Sequence, residues 1–283
     1  MSKEVFLEQR AAEAAQEQGE RTINAPIVAS YVNDTVPTRK DTAETTPTRS
    51  GRFTASRIGE LLAGGTGKTR INYILDCALA QIGIKEDITT QAMFHGINNQ
   101  RNAFDFIVKP LYKSAIWFDE YVAINDNCGA SPDALIFGSI PVDVKCPFHL
   151  DSYLEQINTL PKKYYYQSQM QMMAMKQDYG LMVFYLTNPE KFGAEEVWNE
   201  YPFDIKLRHH IFEIRKDEAI HDDILRAVDS ALPDKQKIVE LLKNAVIMEV
   251  EEYFYLQLDG GFKFRELKTA SNILNVSECY RVK

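Results

Sequence analysis

The sequence predicts an α/β (α+β) protein in which helices flank a central mixed sheet, and three observations carry that reading. Apolar residues recur at i, i+3 and i+4 between about residues 56 and 82. Short runs rich in β-branched and aromatic residues, bounded by Gly, Pro and Asn, occupy the middle of the chain. Amphipathic helical patterns return beyond residue 218.

Taken in order, the first 48 residues read as a flexible arm. Residues 3–18 have helical composition but only Val5, Phe6 and Leu7 as large apolar groups, and a Thr-, Pro- and charge-rich stretch follows. Such a composition buries too little surface to offset its ordering entropy. The folded body begins near RSGRFTASRIGELLAGG, with Ser56 as the expected N-cap, Ile58, Leu61 and Leu62 as the apolar face, and Gly64-Gly65 as the stop. TRINYILDCALAQIG places Ile71, Ile74, Leu75, Ala78, Leu79 and Ile82 on one face of a second helix. QAMFHGINNQRNAFDFIVKPLY is a third helix ending near Pro110, with Gly96, Gln100, Ala103 and Ile107 on a common face.

AIWFDEYVAI reads as a strand, and DALIF and IPVDVKC, joined at Gly138-Ser139, as a hairpin. PKKYYYQSQMQMMAMKQ returns to helix, YGLMVFYL and HHIFEIRKD are strands, and EAIHDDILRAVDSAL and DKQKIVELLKNAVIMEVEEY are two helices. The expected organisation is an arm over 1–48, a core over 49–232 and a helical extension over 233–283, whose final stretch has no assignment.

Composition narrows the function. No apolar run approaches the ~18–20 residues needed to span a bilayer, and the acidic, Gln-rich start lacks a signal-peptide core. A soluble cytoplasmic protein is expected. The four cysteines form no CxxC pair and read as reduced thiols. A net charge of −8 argues against a protein that coats DNA through a global positive field. It leaves room for an enzyme whose cations line only a channel.

The chemistry concentrates in GASPDALIFGSIPVDVKCPF, residues 129–148. Two apart on a strand, Asp143 and Lys145 project on one face while Val142 and Val144 point to the core. Asp133 opens the preceding strand, so a hairpin brings its carboxylate beside that of Asp143. Paired carboxylates repel unless a hard cation lies between them, and Mg²⁺ takes one or two carboxylates with water and phosphate oxygens. A neighbouring lysine orients or deprotonates water, or stabilises charge on a phosphate. Metal-assisted phosphodiester hydrolysis is the implied reaction. Taken alone, the short PD…DxK pattern also fits an ordinary exposed hairpin.

SPDALI…VDVKCPF resembles the lambda-exonuclease/YqaJ family of viral recombinases, a branch of the PD-(D/E)xK nuclease superfamily. RSGRFTAS resembles the Arg-x-Gly-x-x-Thr-Ala-Ser segment of that family, and YQSQMQMMAM its helix with Gln-x-Gln. The resemblance implies a restriction-endonuclease-like core. It implies Asp133, Asp143 and the Val144 carbonyl as metal ligands, Lys145 as the residue assisting water, and Gln169 as the active-site glutamine. Arg49, Ser56 and Ser131 would hold a 5′-phosphate. Gln100 takes the position of a family Glu that serves as a further metal ligand, a change that removes one negative charge. The implied activity is a Mg²⁺-dependent exonuclease, with Mn²⁺ substituting, that digests one strand of linear duplex DNA 5′ to 3′. A single-strand annealing protein and a homotrimeric ring are the implied partner and assembly. Two alternatives stay open: a structure-specific or single-strand endonuclease of the same superfamily, and a non-catalytic scaffold that binds DNA ends.

Three other signals are set aside. GGTGKT lacks the first glycine of a P-loop and joins two helices; Lys68 and Arg70 there are candidate DNA-backbone contacts. His209-His210 has no partner ligands at metal spacing. PKKYYYQ mixes base and aromatic residues as a nucleic-acid surface does, yet it opens a helix with core duty.

Overall fold

Strand β7 (Tyr179–Tyr185, YGLMVFY) buries all seven of its residues, as expected of a strand covered on both faces. It lies inside a five-stranded sheet of order β2-β5-β6-β7-β8, comprising β2 (Ile116–Trp117), β5 (Ala134–Ile136), β6 (Ile140–Lys145), β7 and β8 (His209–Arg215). Only β6 and β7 run parallel; the other pairs are antiparallel. The sheet is therefore mixed, as the sequence predicts. This computed structural model describes residues 49–63, 67–83, 90–118, 120–187 and 208–243, and the strands 246–250, 253–257, 264–266 and 279–282. The expected arm, 1–48, lies outside the described residues.

Alternation along β7 assigns the two faces. Leu181, Val183 and Tyr185 join Val142, Val144, Ala103, Phe104 and Ile107 in one apolar cluster. Met182 and Phe184 join Tyr153, Met172 and Ile214 in another. The first face is covered by α3 (Gln91–Ala103), which continues as a π-helical turn, Phe104–Val108, and one α-turn, α4 (Lys109–Leu111). The second is covered by α5 (Leu150–Asn158) and α6 (Lys162–Met175), which form the crossover that parallel β6 and β7 require.

A helical layer packs against the outer side of α6. Helices α1 (Ile58–Leu62), α2 (Lys68–Gln81) and α7 (Glu218–Lys243) contribute Ile58, Leu61, Ile74, Ala78, Ile224 and Val228, and α6 adds Met170. A three-stranded sheet of order β1-β4-β3 closes this layer, built from β1 (Phe53–Thr54), β4 (Cys128–Ala130) and β3 (Val122–Ala123). Cys77, Cys128 and Cys146 are free and buried, as the sequence implies.

Several expectations are corrected. AIWFDEYVAI is two strands, β2 and β3, in different sheets. The two helices expected beyond residue 218 are one 26-residue helix, α7, running through Pro233. A mid-helix proline costs about 3 kcal/mol. Here the buried stripe of Ile224, Val228, Ala231, Ile238 and Val239 spans both sides of it and offsets that cost. The boundary expected at residue 233 thus falls inside α7. The helical extension over 233–283 is also corrected: helix stops at Lys243, and β9 (Val246–Val250), β10 (Tyr253–Gln257), β11 (Phe264–Glu266) and β12 (Cys279–Val282) form a sheet of order β11-β12-β10-β9. Val246, Ile247 and Val250 are β-branched, and they suit a strand once β10 supplies a partner.

Candidate active site

The site begins with a tight turn. Phe137 and Gly138 both adopt positive φ, 52° and 73°, and Ser139 N–H donates to the Ile136 carbonyl at 3.2 Å. The turn fixes the register of β5 against β6, with Ala134 opposite Val142. One step beyond, Asp133 N–H donates to the Val142 carbonyl at 3.0 Å, which sets Asp133 opposite Asp143. Residues so paired have Cβ atoms about 5 Å apart. The two carboxylates are therefore cross-strand neighbours.

Their surroundings differ. Asp133 Oδ2 accepts from Val144 N–H at 2.7 Å and from the Gln100 Nε2 amide at 3.4 Å, and the same amide donates to the Val144 carbonyl at 3.1 Å. Asp143 is 1% exposed. Its Oδ1 accepts from Gln167 at 2.5 Å and Gln171 at 2.7 Å, and its Oδ2 forms an ion pair with Lys145 at 2.6 Å. The Lys145 ammonium also stands 5.1 Å from the centre of the Tyr164 ring, and Lys163 approaches that ring to 4.7 Å. Burial pulls the Lys145 pKa down, but the charges of Asp143 and Asp133 and the bond to Asp143 outweigh it, so the net direction is up. Lys145 is a held cation in this arrangement.

Gln169 does not join the site, which corrects the choice of glutamine. On a helix turning about 100° per residue, Gln167 and Gln171 share a face while Gln169 points nearly opposite. Gln169 Nε2 donates to the Arg215 carbonyl at 2.8 Å, and its Oε1 accepts from Asp217 N–H at 2.9 Å. It fastens α6 to the junction of β8 and α7. The sequence reading missed Gln167, Gln171 and Tyr164; the i, i+4 spacing of the first two was the available signal.

The candidate phosphate residues gather at another edge. Parallel pairing of β1 with β4 sets Thr54 opposite Gly129, so Ser56 and Ser131 each follow two residues later, at the same end. The Arg49 guanidinium donates to Ser56 Oγ at 3.5 Å, and Ser56 Oγ lies 3.4 Å from Thr54 Oγ1. Ser56 is not the N-cap expected of it. It sits within a 3₁₀ turn, Ala55–Arg57, that leads straight into α1, and no side chain caps either helix. Its hydroxyl is thereby left exposed beside Arg49. Gly129 permits this edge to form, because a Cβ there would overlap the Val122 carbonyl and the Tyr121 ring. Arg70, a candidate DNA contact, is engaged within the fold by Ser230 at 3.1 Å and Asp234 at 3.5 Å.

The donor set suits a hard divalent cation. It offers two carboxylates and one backbone carbonyl, and Asp143 Oδ2 is buried with no well-directed hydrogen bond beyond the Lys145 ion pair. Among the described residues, no three His, Cys, Asp or Glu side chains come together. None of their helices is long and apolar enough to cross a membrane.

Residues 46–177 match the model of the YqaJ-like viral recombinase domain. The fold is similar to that of an alkaline exonuclease from Laribacter hongkongensis, at 21% identity and a TM-score of 0.55 over 69% of this chain and 93% of that one. The complex of that exonuclease with dAMP gives 22% identity and a TM-score of 0.56 over 71% and 96%. A phage related exonuclease from Haemophilus somnus gives 14% identity and a TM-score of 0.57 over 67% and 95%. No curated protein matches this sequence. The SPD…DVKCP hairpin, the RSGRFTAS segment and the glutamine-bearing α6 all lie within 46–177, the part of the chain that is similar to the YqaJ-like viral recombinase domain.

Proposed function

We propose that this chain is a metal-dependent DNA exonuclease of phage-type recombination, digesting one strand of linear duplex 5′ to 3′ to leave a 3′ overhang. The observation that carries the reading is the facing pair Asp133 and Asp143 with Lys145 bonded to the second. The names of the structural neighbours, alkaline and phage related exonucleases, support it.

Asp133, Asp143 and the Val144 carbonyl would hold Mg²⁺, with Mn²⁺ as substitute. When bound, the ion supplies Lewis-acid polarisation of the phosphodiester and a more acidic water. Gln167 and Gln171 fix Asp143 through Oδ1, which leaves Oδ2 directed at Lys145. Being held as a cation, Lys145 stabilises charge that develops on the scissile phosphate and orients the attacking water. Arg49, Ser56 and Ser131 take the terminal 5′-phosphate, a guanidinium and two hydroxyls suiting a dianion. Gln169 has no part in this scheme. A homotrimer and a single-strand annealing partner complete the proposal.

Linear 5′-phosphorylated duplex and covalently closed circles, each with and without Mg²⁺, provide the test. The linear duplex should be degraded only with Mg²⁺ while closed circles persist. Loss of closed circles would favour an endonuclease. DNA-end binding without any cleavage would favour a scaffold. Lys145→Ala degrading linear duplex as fast as wild type would refute the assignment of the site.

A further inference from the structure

The half-buried Gln100 turns its amide nitrogen toward the proposed cation position. Its Nε2 bridges Asp133 Oδ2 at 3.4 Å and the Val144 carbonyl at 3.1 Å. Both atoms are oxygens proposed above to bind the cation. The assignment of nitrogen rather than oxygen to this position follows from the partners, since both are acceptors and an inward Oε1 would face two lone pairs. Without a cation, the partial positive charge of the amide hydrogens thus supplies what those oxygens lack. With a cation in place the same hydrogens would oppose it, and only Oε1 could face it favourably.

We propose that Gln100 is an amide gate on the cation position: nitrogen inward when the site is free, and turned by half a rotation about its last side-chain bond when a divalent ion binds. This rests on the metal centre proposed above. Cation binding must then break the two contacts that Gln100 makes, so affinity is lower than the ligand set alone would give. A carboxylate at the same position needs no turn and reverses the preference. It repels Asp133 and the Val144 carbonyl in the metal-free protein and attracts the ion afterwards.

Mn²⁺ titration followed by electron paramagnetic resonance, together with melting curves with and without Mn²⁺, tests this on the full chain. Gln100→Glu should bind Mn²⁺ at least tenfold more tightly than wild type, melt lower when metal-free, and gain more in Tm on adding Mn²⁺. Unchanged affinity and unchanged metal-free Tm would overturn the gate. In wild type, the Gln100 side-chain NH₂ resonance, assigned by its loss in Gln100→Met, should shift on Mg²⁺ addition as its hydrogen bonds break. A resonance that does not move at saturating Mg²⁺ would also overturn it. Asp133→Asn separates the two levels. If it leaves tight Mn²⁺ binding intact, the metal centre itself is wrong; if it abolishes binding while Gln100→Glu has no effect, only the gate fails.

Discussion

Two neighbouring glutamines of α6 offer a sharp contrast between fastening a fold and holding a reactive group. Gln169→Met removes a fully buried amide that donates to the Arg215 carbonyl and accepts from Asp217 N–H. Each lost bond is worth about 1 kcal/mol net, so the variant should lose roughly 2 kcal/mol. For a protein of this size that lowers Tm by about 4–8 °C. No atom of the proposed reaction is touched, and kcat at 25 °C should stay within about threefold of wild type, a difference under 1 kcal/mol in barrier. Gln167→Met instead removes one of two amide donors on Asp143 Oδ1, leaving Gln171 and Lys145 in place. A hydrogen bond to a charged group is worth about 1.5–3 kcal/mol. If that bond orients the carboxylate in the transition state, kcat falls by roughly 10- to 100-fold. Single-turnover digestion of linear duplex, paired with calorimetric Tm for each variant, separates the effects. A dead Gln169→Met with an unchanged Tm, beside a fully active Gln167→Met, would refute the assignment and restore Gln169 to the site.

Three further outcomes follow from the same geometry. Because the folded-state pKa of Lys145 is raised above 10.5, its ion pair contributes stability below the unfolded value and loses it as pH rises through the folded one. The Lys145 Nζ resonance should therefore keep its ammonium position from pH 6 to 9, roughly 1 unit or more below that titration, and move only at higher pH; deprotonation near neutrality would contradict the cationic role. Burial pushes the thiols of Cys77 and Cys146 up to about 12 and that of Cys128 to about 11. Iodoacetamide at pH 8 should leave all three unmodified in the native protein, as peptide mass mapping would report, and modify them after denaturation. Gly129→Ala forces a Cβ against the Val122 carbonyl and the Tyr121 ring. It should cost about 1–3 kcal/mol by overpacking, visible as a lower denaturation midpoint and as weaker binding of 5′-phosphorylated ends.

The residue pattern by itself determined much of this protein. The alternation in IPVDVK assigned Asp143 and Lys145 to one face and Val142 and Val144 to the core, because strand side chains alternate whatever surrounds them. The runs DALIF and IPVDVKC on either side of Gly138-Ser139 identified the hairpin, and the 3.6-residue period of residues 69–82 gave α2. Other features depended on contacts distant in sequence. Which glutamine of QSQMQ meets Asp143 is a question of how α6 is rotated. That rotation is set by the packing of Met170 against one cluster and Met172 against another, with Gln169 tied to Arg215 and Asp217 some 46 and 48 positions away. The division of AIWFDEYVAI between two sheets and the passage of α7 through Pro233 were likewise decided by pairing and burial partners far along the chain. Gln100 shows both levels together: the helical period put it on one face with Gly96, Ala103 and Ile107, and only the fold shows its amide turned toward the Asp133 carboxylate and the Val144 carbonyl. Local pattern fixes the face a side chain occupies, but the partner it meets there is chosen by non-local packing, whose energy no short stretch of sequence contains.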